Sequence, residues 1–144
     1  MFQRIENVLD YAYDLVEAKK GDIGLEYVAY GSDQLLPKYP ACVIAPGQTR
    51  TQKHGTHYFM CTFYIEMLVL HAKLSVSRAI RTKEDLELVT RTTDALSLDP
   101  TCGALALFSY FTDETPQNVR TGVKTAPVLG TQLSWLVEAR VPFK

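Results

Sequence analysis

The chain has 144 residues, enough for one domain that buries a proper core without staples. Hydrophobic residues make up 47% and charged residues 22%, which places it with ordinary globular chains and apart from disordered ones. A net charge of −1, three widely spaced cysteines and no apolar run of about eighteen residues argue against a dedicated nucleic-acid binder, a disulfide scaffold and a membrane-spanning helix.

Near neutrality hides a segregation. Residues 1–33 are acidic through Glu6, Asp10, Asp14, Glu17, Asp22, Glu26 and Asp33, against Arg4, Lys19 and Lys20. Residues 34–83 are basic, with Glu66 the single acid; residues 84–114 turn acidic again, and the remainder is basic. Such blocks either neutralise each other inside one fold or meet across a subunit boundary, as in head-to-tail association. The opening residues turn acidic at once and lack the apolar core of a signal peptide. Together with the odd cysteine count (Cys42, Cys61, Cys102), this predicts reduced thiols and assembly in the cytoplasm.

In chain order, the first predicted element is an amphipathic helix. Phe2, Ile5, Leu9, Ala12 and Val16 form its apolar stripe, and Gly21 is its expected stop. A short strand follows at 25–30, then a turn at Gly31-Ser32-Asp33. Pro37 and Pro40 make 35–40 an extended linker. Residues 41–45 read as a short buried strand ending at Pro46-Gly47. Residues 48–56 hold Arg50, Lys53 and His54 with no apolar residue, so they read as the exposed tip of a hairpin. Residues 57–71 are aromatic and branched without Gly or Pro, and predict a long strand or two strands joined at a bulge.

Thr82-Lys83-Glu84-Asp85 has the pattern of a helix start, and Leu86, Val89, Thr93 and Leu96 follow at helical spacing until Asp99-Pro100. Residues 104–111 are apolar enough for an interior strand, with Asp113-Glu114 as a hairpin tip. Residues 112–130 form a long polar segment, readable as a loose hairpin, that contains Arg120 and Lys124. The closing strand alternates cleanly: Leu133, Trp135, Val137, Ala139, Val141 and Phe143 on one face, Gln132, Ser134, Glu138 and Arg140 on the other, with Leu136 the exception. The whole predicts a single α+β domain over 1–144, a twisted antiparallel sheet or sandwich with two helices packed against it.

No catalytic constellation emerges. His57, Cys61 and His71 share strand parity, but no Cys-x-x-Cys or His-x-x-x-His pair accompanies them, so no metal site is assigned. Asp94, Asp99, Asp113 and Glu114 could supply paired acids for hydrolysis, but Asp99 is more simply part of a helix-terminating turn and Asp113-Glu114 a hairpin tip, and no base or second acid recurs at a fixed offset. The serines lack a nucleophile elbow, and no Gly-rich loop precedes a helix. The expectation is therefore a protein without enzymatic activity or cofactor. Arg50, Lys53, His54, Arg120 and Lys124 are the candidate contact residues, on the two polar segments.

Leu68-Val69-Leu70-His71-Ala72, Glu84-Asp85-Leu86-Glu87-Leu88, Ala95-Leu96-Ser97-Leu98-Asp99-Pro100-Thr101 and Gly130-Thr131-Gln132-Leu133-Ser134-Trp135-Leu136-Val137-Glu138-Ala139-Arg140-Val141-Pro142-Phe143 together carry a resemblance. The chain resembles the tail terminator (tail completion) proteins of tailed bacteriophages, in which a strand–helix–turn block with an Asp-Pro-Thr-like turn precedes a closing Trp-x-x-Glu-x-Arg-x-Pro-Phe-like strand. It departs from the family at Cys102-Gly103-Ala104, where a Leu-Gly-Gly-like turn is expected. The resemblance implies a virion protein that forms a homohexameric ring capping the tail tube and ending its polymerisation. It implies a tube protein on one side and a head-completion or connector (neck) protein on the other. Genomic DNA would pass through the lumen without sequence-specific binding. The alternatives are a neck, head-closure or tail-tube subunit of the same particle, and a small metal-dependent hydrolase.

Overall fold

Two helices cover one face of a five-stranded sheet in a computed structural model that describes residues 2–31, 40–54, 58–71, 78–119 and 128–142. The elements run α1 (Phe2–Ile23), β1 (Tyr27–Tyr30), β2 (Ala41–His54), β3 (Tyr58–His71), α2 (Arg78–Ser97), β4 (Phe108–Val119) and β5 (Val128–Pro142). The strand order is β1-β2-β3-β5-β4. This is the expected α+β class with two helices on a sheet. The sheet is single rather than a sandwich, and it is antiparallel except at one edge, where β1 runs parallel to β2. The Pro40 carbonyl accepts from the N–H groups of Glu26 (2.7 Å) and Tyr27 (3.3 Å), so β2 enters beside the start of β1.

The period-two pattern of the long strands decides which face is buried. Cys61, Phe63, Ile65, Met67 and Val69 of β3 and Leu133, Trp135, Val137, Ala139 and Val141 of β5 point under the helices into one core. Trp135 stacks on Phe111 at 6.0 Å between ring centroids. From α1, Val8, Ala12 and Val16 reach the same core, spaced four apart on one helix face. The buried stripe is thus centred on Val8, while Ile5 and Leu9 flank it half-buried. From α2 the buried set is Leu88, Val89, Thr92, Ala95 and Leu96; Leu86, expected inward, is exposed. Thr92 satisfies its buried hydroxyl by donating to the Leu88 carbonyl at 2.8 Å.

Several boundaries differ from expectation. The α1 helix runs through Gly21 and ends at Gly24, whose φ of +100° is open to glycine, with the Gly24 and Leu25 N–H groups both donating to the Lys20 carbonyl. The α2 helix starts at Arg78, so the cap-like Thr82-Lys83-Glu84-Asp85 lies inside it. Strand β2 does not stop at Pro46-Gly47: it bulges between Pro46 and Thr49 and pairs with β3 as far as His54 against Tyr58. Gly47 permits that bulge, because a Cβ there would stand 2.6 Å from the Tyr64 carbonyl oxygen. The expected loop at 48–56 is therefore strand as far as His54, and residues 55–56 lie outside the described residues.

Residues 104–111 supply no interior strand. The chain turns at 98–107, and β4 begins at Phe108 as the edge of the sheet, with Asp113 and Glu114 in the strand rather than at a tip. The loose hairpin expected over 112–130 is the β4–β5 pair, running from Phe108 against Glu138 to Val119 against Val128 with a register shift between Phe111 and Asp113.

Candidate interaction surface

The second face of the sheet has no helix among the described residues. Register places Met60, Thr62, Tyr64 and Glu66 of β3 on it, beside Arg140, Glu138, Leu136 and Ser134 of β5. On the outer strands the same rows continue to Arg50 and Gln52 of β2 and to Phe108 and Tyr110 of β4. One row thus reads Arg50, Thr62, Glu138, Phe108 across four strands.

Near its centre, the Glu66 carboxylate accepts from the Gln132 amide at 2.9 Å and the Ser134 hydroxyl at 2.8 Å. That occupies the acid structurally and ties β3 to β5. The periphery is aromatic and charged. Phe108 and Tyr110 stack at 6.0 Å and are both exposed, and the Arg140 guanidinium lies 5.3 Å from the exposed Tyr58 ring. A cavity of about 550 Å³ opens on this face between Arg50, Gln52, Met60, Thr62 and Glu138. Mixed in this way, the surface suits contact with another protein.

The outer strands of the sheet are β1 with the distal part of β2 on one side and β4 on the other. Beyond Ile44, β1 no longer flanks β2, so the outer edge of residues 45–54 has no strand partner among the described residues. At the other end, β4 is unpaired on its outer side among them. Gln48, Thr49, Arg50, Thr51 and Gln52 are all exposed, as are Thr112, Asp113, Glu114 and Thr115.

Of the residues singled out from sequence, Arg50 stands exposed on β2. Lys53 and His54 belong to the same strand by backbone, while Arg120 and Lys124 lie outside the described residues. By backbone register Arg50 pairs with Thr62 and Lys53 with Phe59. The sequence presents Asp113 and Glu114 only as a hairpin tip or as acids weighed for hydrolysis, and it does not single out Tyr58, Phe108 or Tyr110; the acidic block at 84–114 is the one signal for a contact role of the first two.

The remaining chemistry is structural. His71 Nε2 meets the Glu84 carboxylate at 2.7 Å, pinning α2 to the end of β3, while its buried Nδ1 has no hydrogen-bond partner among the described residues. Cys42, Cys61 and Cys102 are buried, free thiols. Burial pushes the Cys42 thiol up to about 12. His57, the third member of the parity set with Cys61 and His71, lies outside the described residues. Among the described residues no three of His, Cys, Asp and Glu converge, and no helix is long and apolar enough to cross a membrane. Compared with known proteins, the sequence matches no protein family and no curated protein.

Proposed function

We propose that this chain is a structural virion protein of a tailed bacteriophage, a ring-forming tail terminator. The ring caps the tail tube, ends its polymerisation and joins the tail to the head-completion or connector protein while genomic DNA passes through the lumen. Its place is the tail and neck of the particle, after assembly in the host cytoplasm. The mechanism is geometric: binding to the tube end covers the surface that the next tube ring would use, and offers a different surface to the head. Arg50, Lys53, His54, Arg120 and Lys124 are the contact or channel residues in this reading.

The observation that supports it is the architecture of the sheet. Helices cover one face, the other carries no helix among the described residues, and the outermost long strands carry opposite charges, Arg50 exposed on β2 and Asp113 and Glu114 exposed on β4. Such a unit adds copies sideways. Negative-stain electron microscopy over a concentration series tests the reading. Closed rings of one diameter, without filaments, are expected. Filaments would replace it with a tube subunit, and a monomer at every concentration would overturn it.

A further inference from the structure

We infer that two copies of this chain pair through the second face of the sheet, packed face to face about a two-fold axis with Arg50 of each against Asp113 of the other. The pairing goes beyond the ring reading and does not depend on it; within a ring assembly it would join two rings.

The face carries both halves of the contact. A cavity of about 550 Å³ opens between Arg50, Gln52, Met60, Thr62 and Glu138. Across the same face, Phe108 and Tyr110 stand 40% and 50% exposed, stacked on each other at 6.0 Å between ring centroids. Exposed aromatic rings of this kind are what a protein interface buries at its centre. Knob and recess lie on one surface of one chain, so a two-fold pairing uses each of them twice.

Register fixes where the axis runs. Arg50 lies on β2 in the row of Glu138, and Asp113 lies on β4 opposite Ser134. The two are four residues apart along the strands and three strands apart across them, about 13 Å and about 14 Å at ordinary strand spacings. Arg50 and Asp113 thus occupy opposite corners of a near-square, with Phe108 at a third corner, opposite Glu138 on β4. A two-fold axis along the diagonal through Phe108 brings Arg50 of each copy over Asp113 of its partner. The same rotation carries Tyr110, opposite Leu136 in its own chain, over Thr62 and Glu138 of the partner. There it enters the mouth of the cavity, and its hydroxyl donates to the Glu138 carboxylate. The two sets of strands cross near right angles, one of the two arrangements in which sheets pack face to face.

Charge selects this diagonal over the other. An axis through Arg50 and Asp113 would set Arg50 against Arg50 and Asp113 against Asp113, which like charges oppose. Both side chains are exposed, and no ion pair among the described residues involves Arg50, Asp113 or Glu138.

The test is a charge exchange, read by sedimentation equilibrium of the full chain with negative-stain imaging alongside. The wild type forms closed pairs. Arg50→Glu and Asp113→Arg each break both contacts and raise the dissociation constant of the pair by about tenfold. The double variant restores pairing. An equimolar mixture of the two single variants restores it too, because each mixed pair holds two contacts of opposite charge. Tyr110→Ala, which removes the knob and no charge, weakens the pair likewise. These positions are exposed, so the circular-dichroism spectrum stays that of the wild type and separates pairing from folding. A dissociation constant indifferent to every variant would overturn the face-to-face pairing and leave the ring reading standing. Weakening in the single variants without rescue in the mixture would overturn the match of Arg50 to Asp113. Pairs that respond to the exchange, with no rings in negative stain, would support the pairing and overturn the ring. A wild-type chain that is monomeric at every concentration would overturn both.

Discussion

Ala104 sits in left-handed backbone, φ 70°, at the end of three consecutive residues of that kind, after Cys102 at 53° and Gly103 at 65°. A Cβ disfavours this conformation, and only Gly103 escapes the penalty. Asp99 holds the turn closed: its carboxylate accepts from the Thr101 hydroxyl (2.6 Å), the Thr101 N–H (3.0 Å) and the Gly103 N–H (2.9 Å). The same bonds, led by the Thr101 hydroxyl, hold the Asp99 carboxyl below the usual carboxylate range. Cys102 offsets its strain by burying its side chain, whereas Ala104 is exposed and gains nothing comparable. Ala104→Gly is therefore expected to stabilise the fold by about 1 kcal/mol in urea unfolding. A variant no more stable than the wild type would show that the surrounding turn, and not the Cβ, sets that backbone. This is also the position at which the resembled family pattern places a glycine, so the strain was legible as a departure in the sequence.

At the scale of elements, α1 separates two glycines by position. Gly21 lies inside the helix with open space around a would-be Cβ; Gly24 ends it at positive φ. Gly21→Ala should stabilise by about 0.5–1 kcal/mol through lost unfolded-state entropy, and Gly24→Ala should destabilise. The two melting temperatures, measured side by side, must move in opposite directions; a fall for Gly21→Ala would place the helix end where the sequence first suggests it. The β5 strand was the most legible element, because alternation over its length admits one reading. What the sequence concealed was strand structure made without side-chain patterning. Residues 48–54 carry no apolar residue and resemble a loop, yet β3 supplies a ready ladder of backbone partners. The parallel placement of β1 depends on contacts distant in sequence, which local propensity does not encode. The start of α2 was hidden by a cap-like motif that lies within the helix.

At the scale of the molecule, the candidate surface was half legible. Charge segregation and Arg50 were visible in the sequence, but the edge positions depend on strand order, and Asp113 reads as an edge residue only once β4 is placed. Beside a second, smaller cluster of Ala41, Val43 and Leu70, the main core cluster beneath the helices draws on both helices and on β1, β2, β3 and β5, with Phe111 of β4 packed at its margin. Trp135, 1% exposed and stacked on Phe111, is its largest buried side chain. Because both helices and the sheet share that cluster, losing the indole should weaken the whole fold together rather than fray one element. Trp135→Ala is expected to lower unfolding free energy by about 3–5 kcal/mol, with one transition and an unchanged denaturant slope. That is a large part of a domain's total stability, so Trp135→Phe provides a milder companion that keeps an aromatic partner for Phe111. Circular dichroism in urea reads both variants. A loss below about 1 kcal/mol for Trp135→Ala would place the indole outside the core. Two separated transitions would mean that the helices and the sheet do not fold as one unit, and a rigid ring subunit needs them to.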